Sequence, residues 1–312
     1  MLGERMEREI REQPDALRRV DYFEPLQKAL GGRDFDMVLL AARGSSDNAA
    51  LFARYLIEVH LGIPVTLAAP SVLTRYGRKI KYENCLAVGI SQSGAAPDVA
   101  EVLASLREEG HTTLAITNTA GSRLTQTAEF SVLLEAGLET SIAATKTYSA
   151  TLRALYEMVR ALGAPIAPPV LPDEEDVEAA REAAAKLSGT VVRCSPLFAL
   201  GRGYGYSTAQ ETALKLMECA LLPCKAFSSA DFEHGPKALA GPGSAVISFD
   251  GPKPHLESMG TELLVAPFPE VDETSQPFFQ VVFGQWLALH AARARGLDPD
   301  DARFLRKVTE TL

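Results

Sequence analysis

From residue 35 onward the chain alternates between short apolar runs and longer stretches in which apolar positions recur every three or four residues. The runs Met37-Val38-Leu39-Leu40-Ala41-Ala42, Cys85-Leu86-Ala87-Val88-Gly89-Ile90 and Thr113-Leu114-Ala115-Ile116 have no polar side of their own. Strands of a parallel sheet covered by helices on both faces read this way. Between them lie helical periods. Asp98 to Glu109 is one, with Pro97 in its first turn and Gly110 after its last, the expected placing of the two residues. Strand, helix, strand, helix predicts a doubly wound α/β sheet. Ahead of it, the first ~30 residues predict a helix of mixed charge. Gly163 to Asp176, with four prolines and then a run of acids, predicts an extended linker.

After that linker the pattern starts again. Sliding the sequence on itself by 159 residues lays Arg43-Gly44 over Arg202-Gly203, Ala50 over Ala209 and Pro64 over Pro223. Each lies in a matching strand–loop–helix context, which predicts a duplicated domain. The second copy is shorter: beyond Gly241 only Ser244–Ser248 and Glu262–Ala266 read as strands, with a short connection between them. A helix from about Gln276 to Gly296 and a tail from Arg306 to Leu312 close the chain.

Composition narrows the chemistry. Hydrophobic residues make up 46% and charged residues 23% of the 312 positions, an ordinary globular balance. Asp and Glu outnumber Lys and Arg by 40 to 31, for a net charge of −9. That excludes a global electrostatic footprint for nucleic acid or an anionic membrane, so an anionic ligand needs a local site. No apolar run approaches the ~20 residues of a membrane span, and the charged N-terminus lacks the apolar core of a signal peptide. A cytoplasmic protein is expected. The four cysteines, Cys85, Cys194, Cys219 and Cys224, form neither a zinc pattern nor a disulfide framework and are expected to be plain buried thiols.

Three polar loops follow predicted strands of the first half: Arg43-Gly44-Ser45-Ser46-Asp47-Asn48, Ser91-Gln92-Ser93-Gly94 and Thr140 to Thr147. Ligands of open α/β sheets bind at such strand ends. Ser91 to Gly94 joins a buried strand to a helix N-terminus, where backbone N–H groups and the helix dipole suit a phosphate; an ordinary polar turn would also contain these residues. No glycine-rich dinucleotide fingerprint follows a strand, and Gly201 to Tyr206 only approximates one. In the second half, Glu211, Lys215 and Glu218 leave one face of a helix within an arc of ~60°. A solvated ion-pair stripe would explain them, but this helix is among the most apolar of the chain, and charges on a buried helix are paired or functional. His234, one of five histidines, lies in an irregular loop. It is either incidental or a proton carrier, since imidazole exchanges protons near neutral pH.

With these residues in hand, the sequence resembles the SIS (sugar isomerase) family over nearly its whole length. The resemblance rests on RGSSDNA (43–49), SQSG (91–94), AATKTY (143–148), ETALKLME (211–218), FSSADFEHGP (227–236) and LRKVTETL (305–312). The arrangement is similar to the isomerase half of glucosamine-6-phosphate synthase and to stand-alone SIS-type glucosamine-6-phosphate deaminases. The resemblance implies two tandem SIS domains, each a flavodoxin-like parallel sheet covered by helices, the second one trimmed. The expected divisions are an N-terminal helical segment (1–30), a first SIS domain with the phosphate loops (31–163), a linker and connecting helix (164–185), and a second SIS domain with a catalytic tail (186–312).

The resemblance also implies roles. Ser46, Ser91, Gln92 and Ser93 would cradle the substrate's phosphate, with the backbone of Ala143 and Ala144 and the nearby Thr145 closing the cradle. Glu218 would carry the proton, Glu211 and Lys215 would be its supporting ion pair, and His234 would assist ring opening from the neighbouring subunit of a homodimer. Lys307 would hold the keto sugar as an imine or steady its developing charge. No metal or organic cofactor is implied. The expected reaction converts glucosamine 6-phosphate to fructose 6-phosphate and ammonia. The alternatives are an isomerase or deglycase for another amine-linked sugar phosphate, or a sensor that binds without turnover. Two departures stand out: Ala95 and Ala96 follow SQSG where the synthase has Glu-Thr, and Ala144 stands where it has serine. Each lost hydroxyl is expected to cost about 0.5–1.5 kcal/mol of phosphate binding. A glutaminase half is not expected, because the first cysteine is Cys85.

Overall fold

The computed structural model describes residues 1–302 and 304–307, so 308–312 of the expected tail lie outside the described residues. In place of one N-terminal helix there are three, α1 (Glu4–Arg11), α2 (Gln13–Arg18) and α3 (Phe23–Leu30). Pro14 accounts for the first break, because its ring cannot continue α1 yet fits the first turn of α2. The first sheet and its helices follow as β1 (Met37–Ala41), α4 (Ser45–His60), β2 (Val65–Leu67), α5 (Ser71–Thr74), β3 (Cys85–Ile90), α6 (Pro97–Glu108), β4 (Thr112–Thr117), α7 (Arg123–Thr127), β5 (Phe130–Leu133) and α8 (Lys146–Ala161). Residues 164–173 are extended and irregular, as their prolines require. A capping box between Asp173 and Asp176 then starts α9 (Glu174–Arg193). The second sheet comes from β6 (Leu197–Gly201), α10 (Gly205–Ala220), β7 (Cys224–Ser228), α11 (Ser229–Glu233), β8 (Ala245–Ser248), α12 (Pro254–Glu257) and β9 (Glu262–Val265). The long helix α13 (Gln276–Ala294) comes after it.

Both sheets are parallel throughout. Their orders are β2-β1-β3-β4-β5 and β7-β6-β8-β9, the same over four positions, with one strand fewer in the second. The four-residue α12 is the whole helical content of the β8–β9 connection.

The chain divides into two compact units. One holds the first sheet, over residues 15–138 and 147–169. On one of its faces Leu39, Ala41, Cys85, Ala87 and Ala115 pack with Val99, Leu103 and Leu106 of α6 and Leu124 of α7. The six residues of β3 are all buried, which is why that run carries no polar position. The other unit holds the second sheet, over residues 1–14, 139–146 and 170–307. There Phe198, Leu200, Phe232, Val246 and Leu256 form one cluster. In this unit α13 packs on both α9 and α10 and is buried around most of its circumference. Gly284 lets α13 lie close against α10: a Cβ there would sit 2.2 Å from Thr212 Oγ1. Among the described residues no helix is long and apolar enough to cross a membrane.

Cys85, Cys219 and Cys224 are buried as expected, whereas Cys194 is only partly covered. Burial pushes the thiols of Cys219 and Cys224 from an ordinary 9.0 up to about 12, and that of Cys85 up to about 11. Above pH 9 these thiols ionise in the unfolded chain while the folded protein keeps their protons. The unfolded state then binds fewer protons, and stability falls as pH rises. The expected slope is about 1.4 kcal/mol per pH unit per thiol between pH 9 and the folded values. Urea unfolding under reducing conditions at pH 8, 9.5 and 10.5 measures it, and a flat profile would contradict it.

Candidate active site

In the unit of the first sheet, the candidates sit at the carboxyl ends of β1 and β3, neighbours paired Ala41 to Gly89. Ser46 lies in the first turn of α4, and Ser91 to Gly94 lead from β3 toward α6. The second loop is fixed from below. Ser91 N–H donates to Ile116 O at 3.1 Å, and Gln92 O accepts from Asn118 N–H at 3.0 Å and from the Thr117 hydroxyl at 3.2 Å. Gly94 turns the chain at φ 62°, where a Cβ would meet Ser122 Oγ at 2.2 Å. Only glycine meets both demands. Ser93 Oγ accepts from Ala95 N–H at 3.2 Å.

Several donors remain over. The N–H groups of Gln92 and Ser93, the hydroxyls of Ser46 and Ser91 and the Gln92 side-chain amide have no partner among the described residues. An ordinary turn leaves such groups to water; here they lie at two adjacent strand ends, an arrangement that suits an anion. Arg43 is held away from that task, since Asp98, buried at the start of α6, pairs with it at 2.7 and 2.8 Å. Burial pushes the nearby Asp47 carboxyl above its usual range, and Arg43 pulls against the shift.

The unit of the second sheet holds the other candidates. The segment 139–146 is fastened by α1. Glu9, fully buried, accepts from Thr140 N–H and hydroxyl at 2.5 and 2.9 Å and from Ser141 N–H at 3.1 Å. Glu12 pairs with the buried Lys146 at 2.5 Å. Within the segment the Ala143 carbonyl accepts from the Ser141 hydroxyl at 2.7 Å. Thr145 gives both its N–H and its hydroxyl to Glu139 Oε1. The other Glu139 oxygen holds Lys307 Nζ at 2.6 Å, so one buried carboxylate ties the loop to the lysine of the tail.

On α10 the spacing of four and three residues does what geometry requires. Lys215 Nζ lies 3.4 Å from Glu211 and 2.5 Å from Glu218. The side chains of Glu211 and Lys215 are 0% and 1% exposed, Glu218 25%. This is not a solvated stripe. Burial opposes the charge on Lys215, but the Glu211 and Glu218 carboxylates outweigh it and hold the ammonium above the ordinary lysine value. His234 caps the short α11, exposed, with no side-chain partner among the described residues.

Glu139 and Glu9 are the residues that sequence reading missed. Glu139 stands one position before the Thr140–Thr147 loop, and a glutamate flanking a strand-end loop is the only local signal it gives. Glu9 gives none, because its partners lie 131 and 132 residues away.

Residues 34–161 match the family model described as SIS domain. The glutamine–fructose-6-phosphate aminotransferase (isomerizing) of Methanothermobacter thermautotrophicus is 32% identical over 97% of this chain and 56% of its own length. The chain thus spans about half the length of the curated relatives it matches. A glucosamine-6-phosphate deaminase structure from Thermotoga maritima superposes with a TM-score of 0.82 over 99% of this chain and all of the other, at 24% identity. The C-terminal domain of glucosamine-fructose-6-phosphate aminotransferase from Francisella tularensis gives 0.77 over 95% and 97%, at 23% identity. At those identities the two structures establish the fold. The strand-end loops of the first sheet therefore lie within residues 34–161, the segment that matches the SIS domain model.

Proposed function

We propose that the chain is a sugar-phosphate isomerase of the SIS type acting on glucosamine 6-phosphate. In this reading the second sheet is a reduced copy of the SIS domain. The observation that carries the reading is the Glu211–Lys215–Glu218 chain on α10. A partly exposed carboxylate is held in place by an ammonium that is itself buried and neutralised from behind. A carboxylate so held can take a proton from one carbon and return it to the next without moving.

Ser46, Ser91, Gln92 and Ser93 bind the phosphate, with Ala143, Ala144 and Thr145 closing the cradle. His234, exposed and with no side-chain partner among the described residues, moves the ring-oxygen proton in the site of a second copy of the chain. Glu218 removes the proton from C2 of the open-chain amino aldose, leaving an enolamine. Returning that proton to C1 gives a C2 imine, and water then releases ammonia and leaves fructose 6-phosphate. Lys307, steered by Glu139, stabilises the charge that develops on the substrate or holds its carbonyl covalently.

Incubation with glucosamine 6-phosphate is expected to yield ammonia and fructose 6-phosphate in equal amounts. Lys307→Ala should yield neither, and Glu139→Gln should lower kcat more than it raises KM. Sugar-phosphate binding without product would replace this reading with that of a sensor.

A further inference from the structure

In both sheets the chain leaves in opposite directions on the two sides of the first strand, between β1 and β3 and between β6 and β8. The crevice outside the carboxyl ends of an open sheet at such a reversal is where these folds take ligands. At that place on the second sheet lies an open cavity of about 490 Å³. Four successive connections build its wall. Arg202 follows β6, Ser229 follows β7, Glu233 and Lys237 flank the turn after α11, and Asp250 and Lys253 follow β8. A second cavity of about 360 Å³ shares Arg202 and Asp250 and has the half-exposed ring of Phe268 on its wall.

Its charges are sorted. Lys237 and His255 hold the two oxygens of Glu233 at 2.6 and 2.9 Å and Lys253 pairs with Asp250 at 2.9 Å, while the Ser229 hydroxyl donates to Asp250 at 2.6 Å. Arg202 differs. Its counterpart in the first sheet, Arg43, is neutralised by the buried Asp98, but the Arg202 guanidinium has no hydrogen bond or ion pair among the described residues. The cavity thus offers one guanidinium uncommitted among the described residues, whose planar fork suits a phosphate, beside carboxylates already matched by Lys237, His255 and Lys253 and able to accept further from hydroxyls.

We propose that this cavity is a second sugar-phosphate site, holding a phosphorylated monosaccharide with its phosphate on Arg202 and its hydroxyls on Asp250, Glu233 and Ser229. A neutral sugar would leave Arg202 unused. A bare inorganic anion would face the two carboxylates with nothing to donate to them. The site stands on the cavity and its charges and is independent of whether Glu218 performs catalysis.

Calorimetric titration of the whole chain with fructose 6-phosphate tests it. Two binding events per chain are expected. Arg202→Gln combined with Lys253→Gln should weaken one of them by about tenfold or more. Ser91→Ala combined with Ser93→Ala should spare that same event. The Arg202 side chain is exposed and unpaired among the described residues, so its single replacement leaves no buried group stranded and should weaken the event in the same direction. If the Arg202/Lys253 protein titrates like the wild type, the site does not exist. If the Ser91/Ser93 protein also titrates like the wild type while the Arg202/Lys253 protein loses binding, this site stands and the phosphate role of the first-sheet loops falls. If inorganic phosphate occupies the spared event as tightly as fructose 6-phosphate, the carbohydrate part of the assignment is wrong.

Discussion

Glu218→Gln is expected to lower kcat on glucosamine 6-phosphate by about 100- to 10,000-fold, the range that a positioned general base contributes, while sugar-phosphate binding stays within a few-fold. Glutamine keeps the shape and can still accept from Lys215, but it cannot hold the migrating proton. The effect should therefore fall on kcat and kcat/KM together, as for a group used only in the transition state. If the variant turned over like the wild type, Glu218 would not be the proton carrier. The same variant separates one copy of the chain from two. Mixed and re-equilibrated with an inactive His234→Ala protein, it should recover up to about a quarter of wild-type activity, because half of a random dimer population would hold one site with both residues intact. No recovery after demonstrated exchange would confine both residues to a single chain.

Lys215→Met is expected to cost about 3–5 kcal/mol of stability, measured by urea unfolding. Methionine fills the space of the lysine stem, so packing changes little. What changes is electrostatic: Glu211, with no exposed surface, loses its ammonium and must either stay charged in a poor solvent or take up a proton. Adding Glu211→Gln should therefore recover most of the loss, the coupling that a double-mutant cycle isolates. A loss below about 1 kcal/mol for the single variant would mean that other groups meet the Glu211 charge. The pair also predicts a pH signature. The folded-state pKa of Lys215 lies above its ordinary value, so its contribution is complete below about pH 10.5 and declines only above it.

What the sequence disclosed follows from the range of each interaction. Strands buried on both faces announce themselves, because every position of Cys85–Ile90 must be apolar. The α10 triad is legible because helical spacing alone places positions 211, 215 and 218 together, and the apolar neighbours already argue against a solvated stripe. The N-terminal helix is less legible, since its mixed charge obscures the break that Pro14 imposes. Glu139 escapes because irregular backbone has no period to extrapolate, and its hold on Lys307 spans 168 residues. Arg43 and Arg202 are interchangeable by sequence, each followed by glycine after an apolar strand. Only the presence of Asp98 beside one and a cavity beside the other distinguishes them.

The segment 139–146 belongs with residues 1–14 and 170–307, yet it is threaded between two stretches of the other unit. Neither unit can therefore be made whole by one uninterrupted length of polypeptide. As the chain emerges from the ribosome, α1 must wait for Thr140 and Ser141 before Glu9 can accept their hydrogen bonds, and the segment in turn waits for Gln285, which donates to Thr145 O. Scission at the proline-rich stretch would strand the loop on the wrong fragment. The two halves suggested by the internal repeat are thus products of one shared assembly, completed only when α13 has been synthesised.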